Sequence, residues 1–480
     1  MLADSTNSYR LVATLFLRLL GLIYLIAFAS ISVQIEGLAG SQGILPFSQE
    51  MVYLEDELGL RRYFLVPSLF WLNASDAALT AAAIAGCLVS VLIVLDRWTR
   101  ASLIAAFTLY LSLYSAGQLF LNFQWDGLLL EAGFLAIFLT PASRVVILLF
   151  RWLLFRLRFM SGISKLTMQD PSWSGLTALN SYFEVQPLPT PLAWYAHQLP
   201  EWLLKTGTAA TLFVEILVPF MMFLPRRWRI TAAWITIVWQ LLIILTSNHN
   251  WFNLLTIVLC LFLFDDRAVQ RVLPTRLQTW LTPHAAPAGS PGWFKKTGVG
   301  VLASFVLLTS GVHLWELATV QRSSGAIGSL VDYAEAYRVV NKYHVFPTMR
   351  AERTELELWG SLDGRDWRRY EFRYKPGDPG QRPSIVLPHQ PRLDWEMWFV
   401  IQHPKYMRFF HSFLQALLDN SPAVTALLRH NPFPDQAPRY IRVDAYRYRF
   451  STPAERQETG QWWQRESLGP FTPLPWLERS

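Results

Sequence analysis

The sequence predicts a polytopic α-helical membrane bundle of about nine spans, followed by a C-terminal soluble β-rich domain, sandwich-like, with added helices. Three observations predict it. Apolar stretches recur through the first 320 residues, and a membrane span needs roughly 20 such residues. Charged residues make up 16% of the chain against 52% hydrophobic, far below the charged share of a water-soluble domain. Past Val320 the composition turns charged and aromatic and alternates with the period of two that marks half-buried strands.

The clear spans are 11–35, 77–95, 101–121, 208–224, 230–247 and 299–320; shorter or more polar ones are 127–140, 143–160 and 251–264. The first is too long for a signal-peptide core and lacks a well-placed small-residue cleavage site, so it reads as an uncleaved span. Positive charge orients the set. Arg97 and Arg100 follow the second span, Arg144 the fourth, and Arg226, Arg227 and Arg229 the sixth. Arg267, Arg271, Arg276, Lys295 and Lys296 precede the last. With nine spans all of these share one side, and the loops near Asn122 and His249 on the other side lack Lys and Arg. A cytoplasmic N-terminus follows, with everything after residue 320 outside or lumenal.

The connection 268–298 is rich in Pro and Gly and reads as a linker. Domains of 1–320 and 321–480 result. In the second, Leu356 to Ser361 alternates, Asp363-Gly364 signals a hairpin turn, and Tyr370, Phe372 and Tyr374 alternate with charge. Residues 405–429 read as helices and Tyr440 to Phe450 as a further strand.

The net charge of +7 sits mostly beside apolar stretches, as membrane topology requires, so no nucleic-acid partner is expected. Cys87 and Cys260 both lie in apolar runs, which excludes a disulfide framework and a Cys-rich metal site.

Polar residues at membrane depth are costly and mark candidate sites. Arg144, Arg151, Arg158 and Lys165 recur every seven residues. That spacing drifts by only about 20° per step on a helix, so they form one basic stripe. It faces protein or a watery cavity, or else belongs to an amphipathic interfacial helix with Arg156 snorkelling as well. Gln118, Asn122 and Asp126 form a second stripe at spacing four, with Glu131 beyond it, and these acids are the obvious partners of the basic stripe. The network is either functional or helix-binding glue. The loop Asn248, His249, Asn250 and Asn253 carries amides at a membrane border, suited to capping the next helix or to holding a ligand. No P-loop, nucleophile elbow or zincin signature is present. His344, His389 and His403 match no compact metal spacing, so neither metal nor cofactor is expected.

Several motifs resemble hallmarks of the lipase maturation factors. They are Asn122-Phe123-Gln124-Trp125-Asp126-Gly127-Leu128-Leu129-Leu130-Glu131, the run from Tyr182 to Pro191, and Asn248-His249-Asn250-Trp251-Phe252-Asn253. The later part adds Gly360 to Gly364, Tyr374 to Asp378, Pro388-His389-Gln390-Pro391-Arg392-Leu393-Asp394-Trp395 and Asn431 to Pro434. The likeness runs from about residue 10 to 465. It implies an endoplasmic-reticulum membrane protein that assists folding and assembly of secreted lipases, with the soluble part contacting the client. Membrane lipids and lipase-like secreted proteins are the implied partners. The chain ends at Ser480 without a Lys-Asp-Glu-Leu type retrieval signal. Its short loops look bacterial, in which case the compartment is the inner (plasma) membrane.

A more distant resemblance covers only the membrane half. Ser161-Gly162-Ile163-Ser164-Lys165-Leu166, with Trp173, is similar to a stretch of the vitamin K-dependent gamma-carboxylases, although the interval to Trp173 differs. It implies Lys165 as a catalytic base in a cavity for a lipid or quinone-like cofactor, with Asp126 or Glu131 as partners. Two functions are thus carried forward: a non-enzymatic maturation factor, and a membrane enzyme.

Overall fold

The computed structural model describes residues 8–140, 143–281 and 293–479. Among the described residues, the helices of the membrane half that bear on the span count and the site are α1 (Arg10–Ser32), α2 (Asp76–Val94), α3 (Thr99–Ala116), α4 (Gln124–Ile137), α5 (Arg144–Thr167), α6 (Glu201–Met221), α7 (Arg226–Thr246), α8 (Phe252–Leu263) and α9 (Trp293–Thr319), with shorter or more polar helices such as Phe47–Leu58 and Ala178–Val185 between them.

Among the described residues, five of these are long and apolar enough to cross a membrane: α1, α2, α6, α7 and, within α9, Lys296–Thr319. The expectation of nine spans is corrected to five by this measure. The reason lies in the helices that fall short. Helix α4 has 14 residues, about 21 Å of rise against a hydrocarbon core of about 30 Å. Helix α8 is an α-helical segment closed by a 3₁₀ turn and is shorter still. Helix α5 is long but carries Arg151, Arg156, Arg158 and Lys165 among its buried residues. Most of α4 is buried too, from Trp125 to Ala136. These helices are wrapped by protein, so neither apolar length nor an apolar surface is demanded of them.

The helices share two ends. The α1 backbone N–H groups of Arg10 and Val12 donate to Asp266 (2.8 and 3.0 Å), and Arg226 at the start of α7 donates to Asp265 (2.5 and 3.1 Å). The starts of α1 and α7 therefore meet the end of α8. The opposite end receives the C-terminal part of the chain. Part of the segment read as a linker is helical, at Asp266–Val272 and Thr275–Leu281, while 282–292 lies outside the described residues.

After α10 (Gly325–Ala336), the chain forms β1 (Arg353–Ser361), β2 (Arg368–Arg369), β3 (Tyr440–Phe450), β4 (Trp463–Pro470) and β5 (Trp476–Glu478). The order is β2-β1-β3-β4, with β5 also paired to β3 and every pairing antiparallel. Among the described residues this is one sheet, which corrects the sandwich expectation. In place of a second sheet stands α12 (Met407–Leu418), which buries Phe409, Phe410, Phe413, Leu414 and Leu417. Helix α11 (Arg392–Val400) lies between it and the membrane half. The Asp363-Gly364 turn forms, with Asp363 accepting from Arg365 and Asp366 backbone N–H (2.8 and 2.9 Å). The strand expected over Tyr370 to Tyr374 does not continue. The N–H groups of Tyr374 and Lys375 turn to the Asp394 carboxylate instead (2.7 and 2.9 Å).

The stripe of Gln118, Asn122 and Asp126 is also corrected. Helix α3 ends at Ala116, a 3₁₀ turn spans Gln118–Phe120, and α4 starts at Gln124, so the three do not share one helical face.

Candidate functional site

Several of the polar residues and most of the motifs meet at one place, the junction between membrane bundle and C-terminal part. At its centre Asp126, from the first turn of α4, holds Arg392, from the first turn of α11. The guanidinium donates through both terminal nitrogens (2.7 and 2.7 Å). Asp126 is 0% and Arg392 1% exposed. Tyr110 donates a further bond to Asp126 (2.6 Å), and Arg392 also donates to the Phe120 carbonyl (2.9 Å) and lies 5.5 Å from the Trp251 ring centroid. A buried ion pair needs such added partners, since desolvation otherwise cancels the attraction. Around it Trp395 packs edge-on against Trp125 (5.1 Å) and meets Phe123 and His249.

The amide-rich loop between α7 and α8 faces the same junction. Asn248 donates to the Ser384 carbonyl (2.8 Å) and accepts from Val386 N–H (2.8 Å); Asn250 donates to Gln390 (2.8 Å) and caps the start of α8 through Phe252 N–H (2.9 Å). Asn253 bonds Gln240 (2.7 Å), within the bundle, and His249 shares a 3.1 Å bond with Tyr182. Just past the end of α1, Gln34 donates to the Gln390 carbonyl (2.9 Å) and accepts from Arg392 N–H (2.8 Å), while Ser30 in the last turn of α1 meets His389 Nδ1 (2.9 Å).

A second buried pair joins Glu131 of α4 to Arg156 of α5. Chain 338–345 is strapped across it. Asn341 donates from its backbone and side chain to Glu131 (2.9 and 3.1 Å), Tyr343 donates its hydroxyl (2.7 Å), and the Asn341 carbonyl accepts from Arg156 (3.1 Å). Gln124 bonds the His344 backbone in both directions.

Lys165 closes the strap. Its ammonium donates to Glu215 (2.7 Å), the Val345 carbonyl (2.7 Å) and the Ser161 carbonyl (3.1 Å). An ammonium has three donors, and all three are taken. Arg158 reaches the same Glu215 at 3.3 Å. Glu215 sits in a π-helical turn, Phe213–Leu217, a feature that frequently marks functional positions. Gly162 lets that turn come close: a Cβ there would lie 2.6 Å from Ile216 Cγ1 and 2.9 Å from Glu215 Cβ.

The motif from Tyr182 to Pro191 is held by the C-terminal half as well. Buried Arg353 of β1 donates to the carbonyls of Glu184, Gln186 and Pro187. Trp398 donates to Val185 (2.6 Å), and Glu184 accepts from Phe450 N–H (2.6 Å).

The pairing expected from the two stripes is therefore redistributed. Asp126 pairs with Arg392, outside the bundle, and Glu131 with Arg156, which stands off the seven-residue stripe. Within the stripe Arg151 donates to the Phe262 carbonyl (2.9 Å) and Tyr9 (2.5 Å), and Arg144 is exposed. Gln118 donates to the Leu45 carbonyl (3.0 Å), and Asn122 accepts from Tyr114 (2.5 Å) and Arg338 (3.3 Å). His403 caps a short turn through Lys405 N–H (3.2 Å), apart from His344 and His389. Burial pushes the His389 imidazole down to about 4, with Arg392 and Arg373 adding to the shift. Burial raises the Asp394 carboxyl, against hydrogen bonds from Lys375 and Tyr374. Glu396, one helical residue past Trp395, is raised well above the ordinary carboxyl range by burial, and neither of its oxygens has a hydrogen-bond partner among the described residues.

Glu215 had a usable signal in the sequence, being a lone charge in an apolar run; Arg156 was visible only as one of several arginines between Arg151 and Arg158. Arg353, Asn341 and Tyr343 had none, because their role exists only once the two halves meet.

Residues 11–271 match the Lipase maturation factor transmembrane domain, and residues 339–473 the Lipase maturation factor C-terminal domain. Lipase maturation factor 2 of Xenopus laevis is 34% identical, covering 98% of this chain and 83% of that protein. The human Lipase maturation factor 2 is 33% identical over 97% of this chain and 82% of its own length. Lipase maturation factor 1 of Mus musculus is 32% identical over 98% and 88%. No solved structure matches. With both family domains in order along one multi-pass membrane chain, this protein belongs to the lipase maturation factor family.

Proposed function

We propose that the chain is a membrane-anchored maturation factor that assists folding and assembly of secreted proteins, with lipases as clients. The observation that carries this reading is the use to which the motif residues are put. Asp126, Glu131, Asn248, Asn250, Arg392 and Trp395 are spent on fastening a C-terminal domain to a membrane bundle, with their polar groups turned on one another. That is the construction of a rigid platform. In this reading the chain divides near residue 320, the C-terminal part faces the lumen or the outside, and the membrane is that of the endoplasmic reticulum or, in a bacterium, the inner membrane. The names of the relatives support lipase clients.

The membrane-enzyme reading asks for a free amine at Lys165 opening on a cofactor cavity. The three donors of that ammonium are engaged by Ser161, Glu215 and Val345, so the geometry favours pairing over proton abstraction.

The test is co-expression with secreted lipases in a host lacking its own maturation factor, scoring activity per molecule of secreted lipase. The expected result is a several-fold rise with the chain present. No rise for any dimeric lipase would remove the proposal.

A further inference from the structure

The end of the bundle away from the C-terminal domain collects arginines that nothing in the chain neutralises. Helices α1 and α2 run antiparallel, since a Cβ on Gly21 would meet Ile93 and one on Gly86 would meet Phe28. The α2–α3 turn, with Arg97 and Arg100, therefore lies towards the start of α1. Asp266 holds the start of α1 and Asp265 the start of α7, which brings Arg227, Arg267, Arg271 and Arg276 to the same end. These six arginines are exposed, and none is in an ion pair among the described residues. Of the three acids in the same segments, Asp265 is buried against Arg226 and Asp266 is buried under the N–H groups of Arg10 and Val12. Only Asp96 is exposed, and it accepts from Thr99 (2.5 Å). Six unpaired cations thus face a single open carboxylate.

The same rim carries apolar side chains. Trp98, Trp228, Val272 and Trp280 are each half or more exposed. Two of them belong to the short helices Asp266–Val272 and Thr275–Leu281, which are strapped along the outside of α1. One strap is Asp266 at the first turn of α1; the other is Arg18, whose guanidinium lies 3.6 Å over the Trp280 ring and donates to the Trp280 carbonyl (3.2 Å). Val269 and Leu281 are buried beneath these helices, and Arg267, Arg271, Val272, Arg276 and Trp280 are left on the outside.

We infer that this rim binds anionic phospholipid headgroups in the leaflet opposite the C-terminal domain. A soluble polyanion answers the arginines and leaves the tryptophan and valine side chains in water. A leaflet takes both, because indole rings settle at the headgroup level and a phosphate accepts two parallel bonds from a guanidinium. Zwitterionic headgroups carry phosphate as well, but each brings its own ammonium. Unpaired arginines are neutralised by lipid of net negative charge, and the attraction grows with each arginine held near such a surface.

The test places the full chain in phosphatidylcholine bilayers doped with spin-labelled phosphatidylglycerol or spin-labelled phosphatidylcholine, and reads the lipid immobilised on the protein by electron spin resonance. Phosphatidylglycerol is expected to associate several-fold more strongly than phosphatidylcholine. Arg267→Gln, Arg271→Gln and Arg276→Gln together remove three guanidiniums that are unpaired in the chain. That variant should keep the wild-type melting temperature in phosphatidylcholine and lose most of the preference. Removing the same charge from exposed, unpaired positions of the C-terminal domain, by Arg365→Gln, Arg382→Gln and Arg479→Gln, should leave the preference intact. Salt at 1 M, where the screening length is about 3 Å, reads the same attraction without substitution and should reduce the preference in the wild type. Equal association of the two lipids overturns the proposal, and so does a preference that survives both salt and the first variant, or one that the two variants lose alike. Labelled hexaglutamate bound in pure phosphatidylcholine, with no preference between the two lipids, would give the rim to an acidic protein and overturns it too.

Discussion

Asp126 and Arg392 stand 266 residues apart in the chain and are joined by two 2.7 Å hydrogen bonds in a site closed to water. One belongs to a short helix wrapped inside the membrane bundle, the other to the helix that seats the C-terminal sheet. Neither charge is tolerable alone in that setting. The pair therefore acts as a condition: the bundle is complete only when the C-terminal domain is docked. Glu131 repeats the logic with Arg156 and the 338–345 strap, and Lys165 repeats it with Val345.

Breaking the pair on one side should cost far more than replacing both sides. Leaving a buried charge uncompensated costs about 3–5 kcal/mol, whereas an apolar replacement of both partners is often near neutral. Arg392→Met and Asp126→Leu should each lower the melting temperature and expose the strap to protease. The double variant should recover at least half of the loss. The measurement is a double-mutant cycle on thermal unfolding in nanodiscs. Additive losses would mean that the two residues stabilise the fold independently, contrary to the geometry.

Lys165→Met removes three hydrogen bonds and leaves Glu215 with Arg158 alone. The expected outcome is a several-fold fall in protein level with unchanged client activation per surviving molecule. Quantitative blotting beside a secreted-lipase assay reads both quantities. Normal levels with lost activity would return Lys165 to a chemical role.

Much of the fold was legible because membrane helices and alternating strands announce themselves locally: α1, α2, α7, β1 and β3 lie close to where periodicity and apolar length put them. The span count was less legible, because α4 and α8 are protected by neighbours that no local window shows. The site was legible in its members more than in its pairings. Asp126, Asn248, Asn250, Lys165, Arg392 and Trp395 were visible as residues out of keeping with their surroundings or as motif members. Their partners were set by the docking of two halves, and nothing in a run of sequence records that Asp126 faces Arg392 instead of Arg151. Glu396 is the extreme case, an ordinary acid in an amphipathic stretch until burial strips it of water.

Gly162→Ala should destabilise the chain through the π-turn. The added methyl would lie 2.6 Å from Ile216 Cγ1 and close to the Glu215 backbone, so the Phe213–Leu217 turn must move and Glu215 must leave Lys165. Overpacking of this kind costs about 1–3 kcal/mol. Thermal melts give the magnitude, and a cysteine cross-link between the two helices gives the displacement. A melting temperature equal to wild type would show that the turn has slack.

Two of the perturbed groups at the junction, His389 and Glu396, predict opposite pH limits. His389 has its folded value lowered to about 4, from an ordinary value near 6.5, by burial. Above pH 6.5 it is neutral whether the chain is folded or unfolded. As pH falls from 6.5 towards 4 the unfolded chain takes up the proton first, so stability is lost on the acid side, on the order of 2–3 kcal/mol at most. Glu396 behaves in the reverse sense, because burial raises its folded value well above the ordinary one near 4.5. Its contribution is fully present below 4.5 and is lost as pH rises towards the folded value, since the unfolded chain ionises first. Melting temperature against pH in nanodiscs should therefore fall on both flanks. His389→Gln should flatten the acid flank alone. Glu396→Gln, which keeps the shape of the neutral acid, should raise the alkaline flank alone. The Gln variant gains most at the highest pH because it has no proton to lose. Parallel curves for wild type and Glu396→Gln up to pH 9 would show that the carboxyl is solvated or paired, and the buried, partnerless geometry would be wrong.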